Sequence, residues 1–134
     1  MPTAIEFQVT LEDRPGTLGK LARALGDRGV NILAFEAFGK SIHLVVDNPT
    51  TAETVLHTGG YSYTEAEVGQ VTLPHRPGAL ARAASRLGEA GINIHYAYCG
   101  LAPGTNAPLA FFGVAELAKA VPLLEQAAAA TAGA

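Results

Sequence analysis

The chain has a single cysteine, Cys99, in 134 residues. That excludes an intramolecular disulfide framework and a cysteine-based zinc site. Cationic side chains are also scarce: nine Lys and Arg stand against twelve Asp and Glu, for a formal net charge of -3. No basic field attracts phosphate backbones or anionic lipid, so neither a nucleic-acid partner nor a membrane partner is expected. No apolar run approaches the length needed to span a bilayer. The opening Met1-Pro2-Thr3-Ala4-Ile5-Glu6 lacks the basic and apolar regions of a secretion signal, which makes the cytoplasm the expected location. Aromatics make up 7% of the chain, too few to suggest a base-stacking platform. What is present is 49% hydrophobic residues with only 16% charged, enough to build a core without staples. Length alone reads as one domain of ordinary size.

The sequence repeats itself at one offset. Val9-Thr10-Leu11 returns as Val71-Thr72-Leu73, Arg14-Pro15-Gly16 as Arg76-Pro77-Gly78, and Gly29-Val30-Asn31-Ile32 as Gly91-Ile92-Asn93-Ile94. Between Val9 and Ile32, 13 of 24 positions are identical to those 62 residues later. The identities include Gly, Pro and Asn, which amphipathic periodicity does not demand. Two copies of this size mean two similar small units, expected over residues 1–67 and 68–134, and not a solenoid.

Each unit can be read along the chain. Ile5, Phe7, Val9 and Leu11 alternate with polar residues, a half-buried strand. The turn Glu12-Asp13-Arg14-Pro15-Gly16 leads into a helix whose apolar stripe is Leu18, Leu21, Ala22 and Leu25, matched in the second copy by Leu80, Ala83, Ala84 and Leu87. Gly29 and Gly91 end these helices, and strands follow at once, Val30 to Phe38 and Ile92 to Tyr98. In the first copy a third strand spans Ser41 to Asp47, Asn48-Pro49-Thr50 opens a second helix over Thr51 to His57, and Tyr61 to Glu67 makes a fourth strand. The order β-α-β-β-α-β predicts an α+β fold, a ferredoxin-like antiparallel sheet with both helices on one face. The second copy starts with a strand over Val68 to Leu73, has a long hairpin loop from Gly100 to Pro108, and a third strand from Leu109 to Val114. Its second helix starts near Ala115, with Pro122 expected to kink it or to begin a new turn. The alanine-rich end after Gln126 reads as a helix tail or a frayed end. The second unit therefore lacks its last strand. Seven strands are predicted, with one open sheet edge available for self-association.

Catalytic chemistry is not evident. His43, His57, His75 and His95 show no metal-ligand spacing, and no triad pattern surrounds Cys99. The glycines between Gly100 and Gly104 do not follow a strand-to-helix turn and so make no dinucleotide fingerprint. No catalytic residue, metal or cofactor is expected. The turns are more informative. At Pro15-Gly16 a helix start leaves free N–H groups backed by the positive end of the helix dipole, a place suited to a carboxylate. Gly16 lets a ligand approach the backbone, Asp13 can take an ammonium group, and Asn31 offers both a donor and an acceptor. Asp13 and Asn31 are equally able to satisfy local turn and strand-end groups.

Asp13-Arg14-Pro15-Gly16-Thr17-Leu18 followed by Gly29-Val30-Asn31-Ile32, and again His75-Arg76-Pro77-Gly78-Ala79-Leu80 followed by Gly91-Ile92-Asn93-Ile94, resemble the ACT domain. The resemblance covers nearly the whole chain, as a stand-alone tandem protein. It implies a non-catalytic regulatory sensor of small molecules, usually amino acids, that tunes a biosynthetic enzyme. It implies units packed side by side through their second strands, within a chain or in a homodimer, with ligand held near that seam. It implies a ligand set of Asp13, Arg14, Pro15, Gly16, Thr17, Leu18, Asn31 and Ile32 in the first copy. In the second copy the set is His75, Arg76, Pro77, Gly78, Ala79, Leu80, Asn93 and Ile94. His75 departs from the pattern, since an acid or Asn is commoner there, so the two sites are expected to differ. The alternative is an oligomerisation or docking module for a metabolic enzyme, with no ligand of its own.

Overall fold

The computed structural model describes residues 2–132. Its elements are β1 (Thr3–Thr10), α1 (Thr17–Asp27), β2 (Ile32–Phe38), β3 (Ser41–Val46), α2 (Pro49–Thr58), β4 (Ser62–Thr72), α3 (Ala79–Glu89), β5 (Ile94–Leu101), β6 (Pro108–Val114) and α4 (Leu117–Ala132). They divide into two units. One comprises Ile5–Ala66, and the other takes the chain from Glu67 onward together with Pro2, Thr3 and Ala4.

In the first unit the strands are ordered β2-β3-β1-β4, with antiparallel β1–β3 and β2–β3 ladders. This is the ferredoxin-like order predicted from β-α-β-β-α-β. Phe7, Val9 and Leu11 of the first-strand segment join Ile42, Leu44 and Val46 in one core with Leu21 and Leu25 of α1 and Ala52, Val55 and Leu56 of α2. Alternation along the strands puts all of these sheet residues on the helix-covered face. Asn48 caps α2 by accepting from the Thr51 N–H at 3.1 Å, and Pro49 occupies the first turn, where its missing N–H is harmless.

The second unit orders its strands β4-β6-β5, again antiparallel. Its core joins Val71, Leu73, Ala110 and Phe112 of the sheet side with Ala79, Ala83 and Leu87 of α3 and Ala120, Leu124 and Ala127 of α4. Gly69 is a packing glycine: a Cβ there would meet the Leu124 side chain at 2.8 Å. Pro122 lies inside α4, so it does not open a new helix. That helix begins at Leu117 and runs through Ala132, while residues 133 and 134 of the alanine-rich end lie outside the described residues.

Three expectations need correction. Six strands are present among the described residues, not seven, because the stretches 61–67 and 68–73 form one strand, β4. No turn residue interrupts Ser62–Thr72 other than Gly69, and that glycine serves helix packing. The open edge predicted for the second unit is also covered there. The Gln70 N–H of β4 donates to the Pro2 carbonyl at 2.8 Å, so the start of the chain occupies the side of β4 expected to be vacant. The hairpin loop is shorter than predicted, since β5 continues to Leu101 and β6 begins at Pro108. Ala102 N–H to Ala107 O (3.0 Å) and Thr105 N–H to Ala102 O (3.1 Å) close it.

Candidate functional site

The Arg-Pro-Gly signature forms the same turn twice. Thr17 N–H donates to the Arg14 carbonyl at 3.5 Å, and Ala79 N–H to that of Arg76 at 3.4 Å. Gly16 has φ 92°, ψ -15° and Gly78 φ 89°, ψ -11°, the values of the third residue of a type II turn. Pro15 and Pro77 therefore sit at the second turn position and not inside the helix. Glycine is needed for its left-handed backbone, since nothing lies within 4 Å of a Cβ at either position. Each glycine is also the N-cap of the helix that follows, and neither helix has a side-chain cap. Among the described residues, the N–H groups of Leu18, Gly19, Leu80 and Ala81 have no hydrogen-bond partner. Two uncapped helix starts thus point donors and positive dipole ends outward.

Each turn borders a cavity of about 270 Å³. That lies just below the range of about 300–1,000 Å³ typical of sites for drug-sized ligands, and suits a small metabolite. The first is lined by Leu11 to Arg14, Gly16 to Gly19, and then Ala37, Gly39 and Ile42. The second is lined by Leu73 to Arg76, Ala79, Leu80, Ala97 to Cys99, Pro108, Ala110 and Phe112. Asp13 and His75 are equivalent by the 62-residue offset, as are Arg14 and Arg76, Thr17 and Ala79, Leu18 and Leu80, and Ala37 and Cys99.

Of the predicted set, Asp13, Arg14, Gly16, Thr17 and Leu18 come together at the first cavity, and His75, Arg76, Ala79 and Leu80 at the second. Pro15, Pro77 and Gly78 shape the turns without lining the cavities. Arg14 is ion-paired with Glu12. Thr17 ties the turn down, its hydroxyl donating to the Glu12 carbonyl at 2.8 Å. Leu18 and Leu80, expected on the buried stripe, are 36% and 60% exposed at the cavity rims. Burial on α3 follows Ala79, Ala83 and Leu87 instead.

Asn31, Ile32, Asn93 and Ile94 do not reach the cavity of their own unit. The eleven residues of α1 return the chain by about 16 Å, so β2 begins at the end of the sheet away from the turn. Asn31 is held there by backbone contacts: its N–H donates to Asp47 Oδ1 at 2.9 Å and its carbonyl accepts the Asp47 N–H at 3.0 Å. Asn93 contacts His95, with Nδ2 and Nδ1 3.3 Å apart. His75 and His95 accordingly lie toward opposite ends of β5. No group of three His, Cys, Asp or Glu among the described residues could hold a metal ion.

Residues at the ends of β2 and β5 complete the cavities and were not singled out for them from the sequence: Ala37 and Gly39 in the first, Ala97 and Cys99 in the second. The signal was available. A strand, a helix running back and a second strand place the ends of both strands, not their starts, beside the first turn. Tyr98 also lines the second cavity and stacks on Phe111 with centroids 5.6 Å apart.

Residues 5–56 match the family model of the ACT domain. No curated protein matches the chain. Among solved structures, a protein from Bacteroides thetaiotaomicron is similar over 92% of this chain and 88% of its own, with TM-score 0.78 and 22% identity. The regulatory subunit of aspartate kinase from Thermus thermophilus is similar over 94% of this chain and 92% of its own, with TM-score 0.59 and 16% identity. Aspartokinase III of E. coli, in complex with lysine and aspartate, is similar over 98% of this chain and 32% of its own, with TM-score 0.60 and 10% identity. At these identities the likeness establishes a shared α+β fold. No helix among the described residues is long and apolar enough to cross a membrane.

Proposed function

We propose that this chain is a non-catalytic regulatory module of two ACT-like repeats that binds small carboxylate metabolites, amino acids foremost, and passes the signal to a biosynthetic enzyme in the cytoplasm. The observation that carries the reading is the repeated pairing of an uncapped helix start with a metabolite-sized cavity. A carboxylate fits the free N–H groups, and in the first cavity Asp13 fits an ammonium. The match of residues 5–56 to the ACT domain supports the same reading, as does the likeness in fold to a structure solved with lysine and aspartate.

The position of Asn31 favours a second copy at the site. Among the described residues β2 pairs only with β3 and β5 only with β6, so each is an edge strand of its unit. Edge residues Phe35 and Phe38 are 55% and 83% exposed, and Leu101 is 59% exposed. An antiparallel ladder between the β2 edges of two copies sets the start of one strand beside the end of the other. Asn31 and Ile32 of one copy then approach the Asp13–Leu18 turn of its partner, and the two phenylalanines leave water. The β5 edges can do the same for Asn93 and Ile94.

The test is thermal melting with the twenty amino acids, together with solution mass. Ligand at about 100 times its dissociation constant stabilises by about 2.7 kcal/mol, a shift of several degrees. Phe38→Glu is expected to lower the mass to that of a monomer and to weaken binding at the first cavity. A protein that no amino acid stabilises and that is already monomeric lacks the proposed function.

A further inference from the structure

The two cavities share their place in the repeat but not their chemistry. In the first, two carboxylates line the wall, Glu12 and Asp13. Glu12 is ion-paired with Arg14. Among the described residues Asp13 has no ion pair, which leaves its charge to face the cavity. In the second, Pro74 replaces Glu12, His75 replaces Asp13 and Ala79 replaces Thr17, so both carboxylates and a hydroxyl are gone. Among the described residues, no Asp or Glu lines this cavity. Its basic side chains are His75 and Arg76, and Leu73, Leu80, Pro108 and Phe112 supply apolar surface.

A zwitterionic amino acid suits the first arrangement and not the second. Its ammonium, partly desolvated in the second cavity, meets no carboxylate, and an unmatched buried charge is costly. A monocarboxylate with an apolar body loses nothing there: its charge meets His75, Arg76 and the helix start, and its carbon skeleton meets the apolar wall. From this contrast we infer that the second cavity is a site for small apolar carboxylates without an ammonium group, such as branched 2-oxo acids, while ammonium-bearing ligands belong to the first. The inference rests on the ligand-binding reading above and divides it between the two repeats.

Titration calorimetry on the full chain tests it with three probes of one carbon skeleton: 4-methyl-2-oxopentanoate, 4-methylpentanoate and leucine. The second cavity is expected to hold either acid at least about tenfold tighter than leucine, the penalty of one unmatched polar group. Cys99→Phe, a change at an exposed strand position on the cavity wall, is expected to abolish binding of the acids. His75→Asp is expected to reverse the preference toward leucine, and Asp13→Asn to leave it unchanged. Circular dichroism of each variant separates loss of site from loss of fold. Leucine bound at the second cavity as tightly as the acids overturns the inference, as does a preference that survives both Cys99→Phe and His75→Asp. Amino-acid binding that Asp13→Asn abolishes, with neither acid bound, overturns the inference alone and leaves the broader reading standing. If no amino acid and no acid binds anywhere, both fall.

Discussion

At three matched positions on the sheet face away from the helices, the first repeat carries Glu6, Glu36 and His43, and the second carries Val68, Tyr98 and Phe111. The 62-residue offset relates Glu6 to Val68 and Glu36 to Tyr98. The cross-strand registers Glu36↔His43 and Tyr98↔Phe111 complete the match. In the first repeat His43 Nδ1 lies 3.8 Å from both Glu6 and Glu36, and Glu6 is fully buried. Gln8 donates to Glu6 at 2.9 Å. In the second, Tyr98 stacks between Tyr96 and Phe111. One backbone thus supports a polar cluster in one copy and an aromatic stack in the other. The helix-covered face does not show this freedom, because both repeats must bury two helices against it. The adjacent pair shows the same trade in volume: Ala34 opposite Val45 in the first repeat, Tyr96 opposite Gly113 in the second.

The contrast can be broken most forcefully at His43. His43→Phe imports the aromatic of the second repeat but removes the polar neighbour of the buried Glu6 carboxyl group. A loss of about 3 kcal/mol is expected, in line with leaving a buried charged or polar group without its partner. Completing the exchange with Glu6→Val and Glu36→Tyr is expected to return stability to within about 1 kcal/mol of the starting protein, since packed apolar groups can replace buried ions. Urea denaturation of the single and triple variants measures both. If the triple variant is no better than the single, the two faces are not interchangeable.

Next in size is the volume trade. A Cβ on Gly113 would lie 2.2 Å from the Tyr96 ring. Gly113→Val is expected to cost about 2 kcal/mol through overpacking. Tyr96→Ala in the same chain recreates the Ala34–Val45 pair of the first repeat and is expected to recover most of that loss. A double-mutant cycle gives the coupling, and a value near zero would show that the clash is relieved elsewhere.

How much of this was legible in the sequence depends on what each residue must do locally. Arg14-Pro15-Gly16 and Arg76-Pro77-Gly78 were readable because a type II turn restricts residue choice strongly. The helices and most strands were readable from their periods. The fusion of 61–67 with 68–73 was not, since strand continuity is decided by pairing partners and not by the residues at the join. Nor was the role of Pro2, whose carbonyl meets Gln70 across 68 positions of sequence. Leu18 and Leu80 satisfied the apolar spacing yet line cavity rims, because spacing marks a face without saying what lies opposite it. Asn31 shared a motif with Asp13 but not a location, because the intervening helix separates them by its own length.

The turn glycines offer the smallest effect and the sharpest control, because there the repeats should agree. Gly16 and Gly78 have φ within 3° of each other, and a Cβ added at either would meet no atom within 4 Å. The penalty of Ala at each is then backbone strain alone, about 1 kcal/mol for the left-handed region. Gly16→Ala and Gly78→Ala are expected to lower stability equally by denaturant titration. Equal penalties place the differences between the repeats in side chains, on the sheet face and in the cavities. Unequal ones would mean that a turn of the same φ and ψ is held more tightly in one copy, by Thr17 and its hydroxyl bond to the Glu12 carbonyl, for which Ala79 has no counterpart.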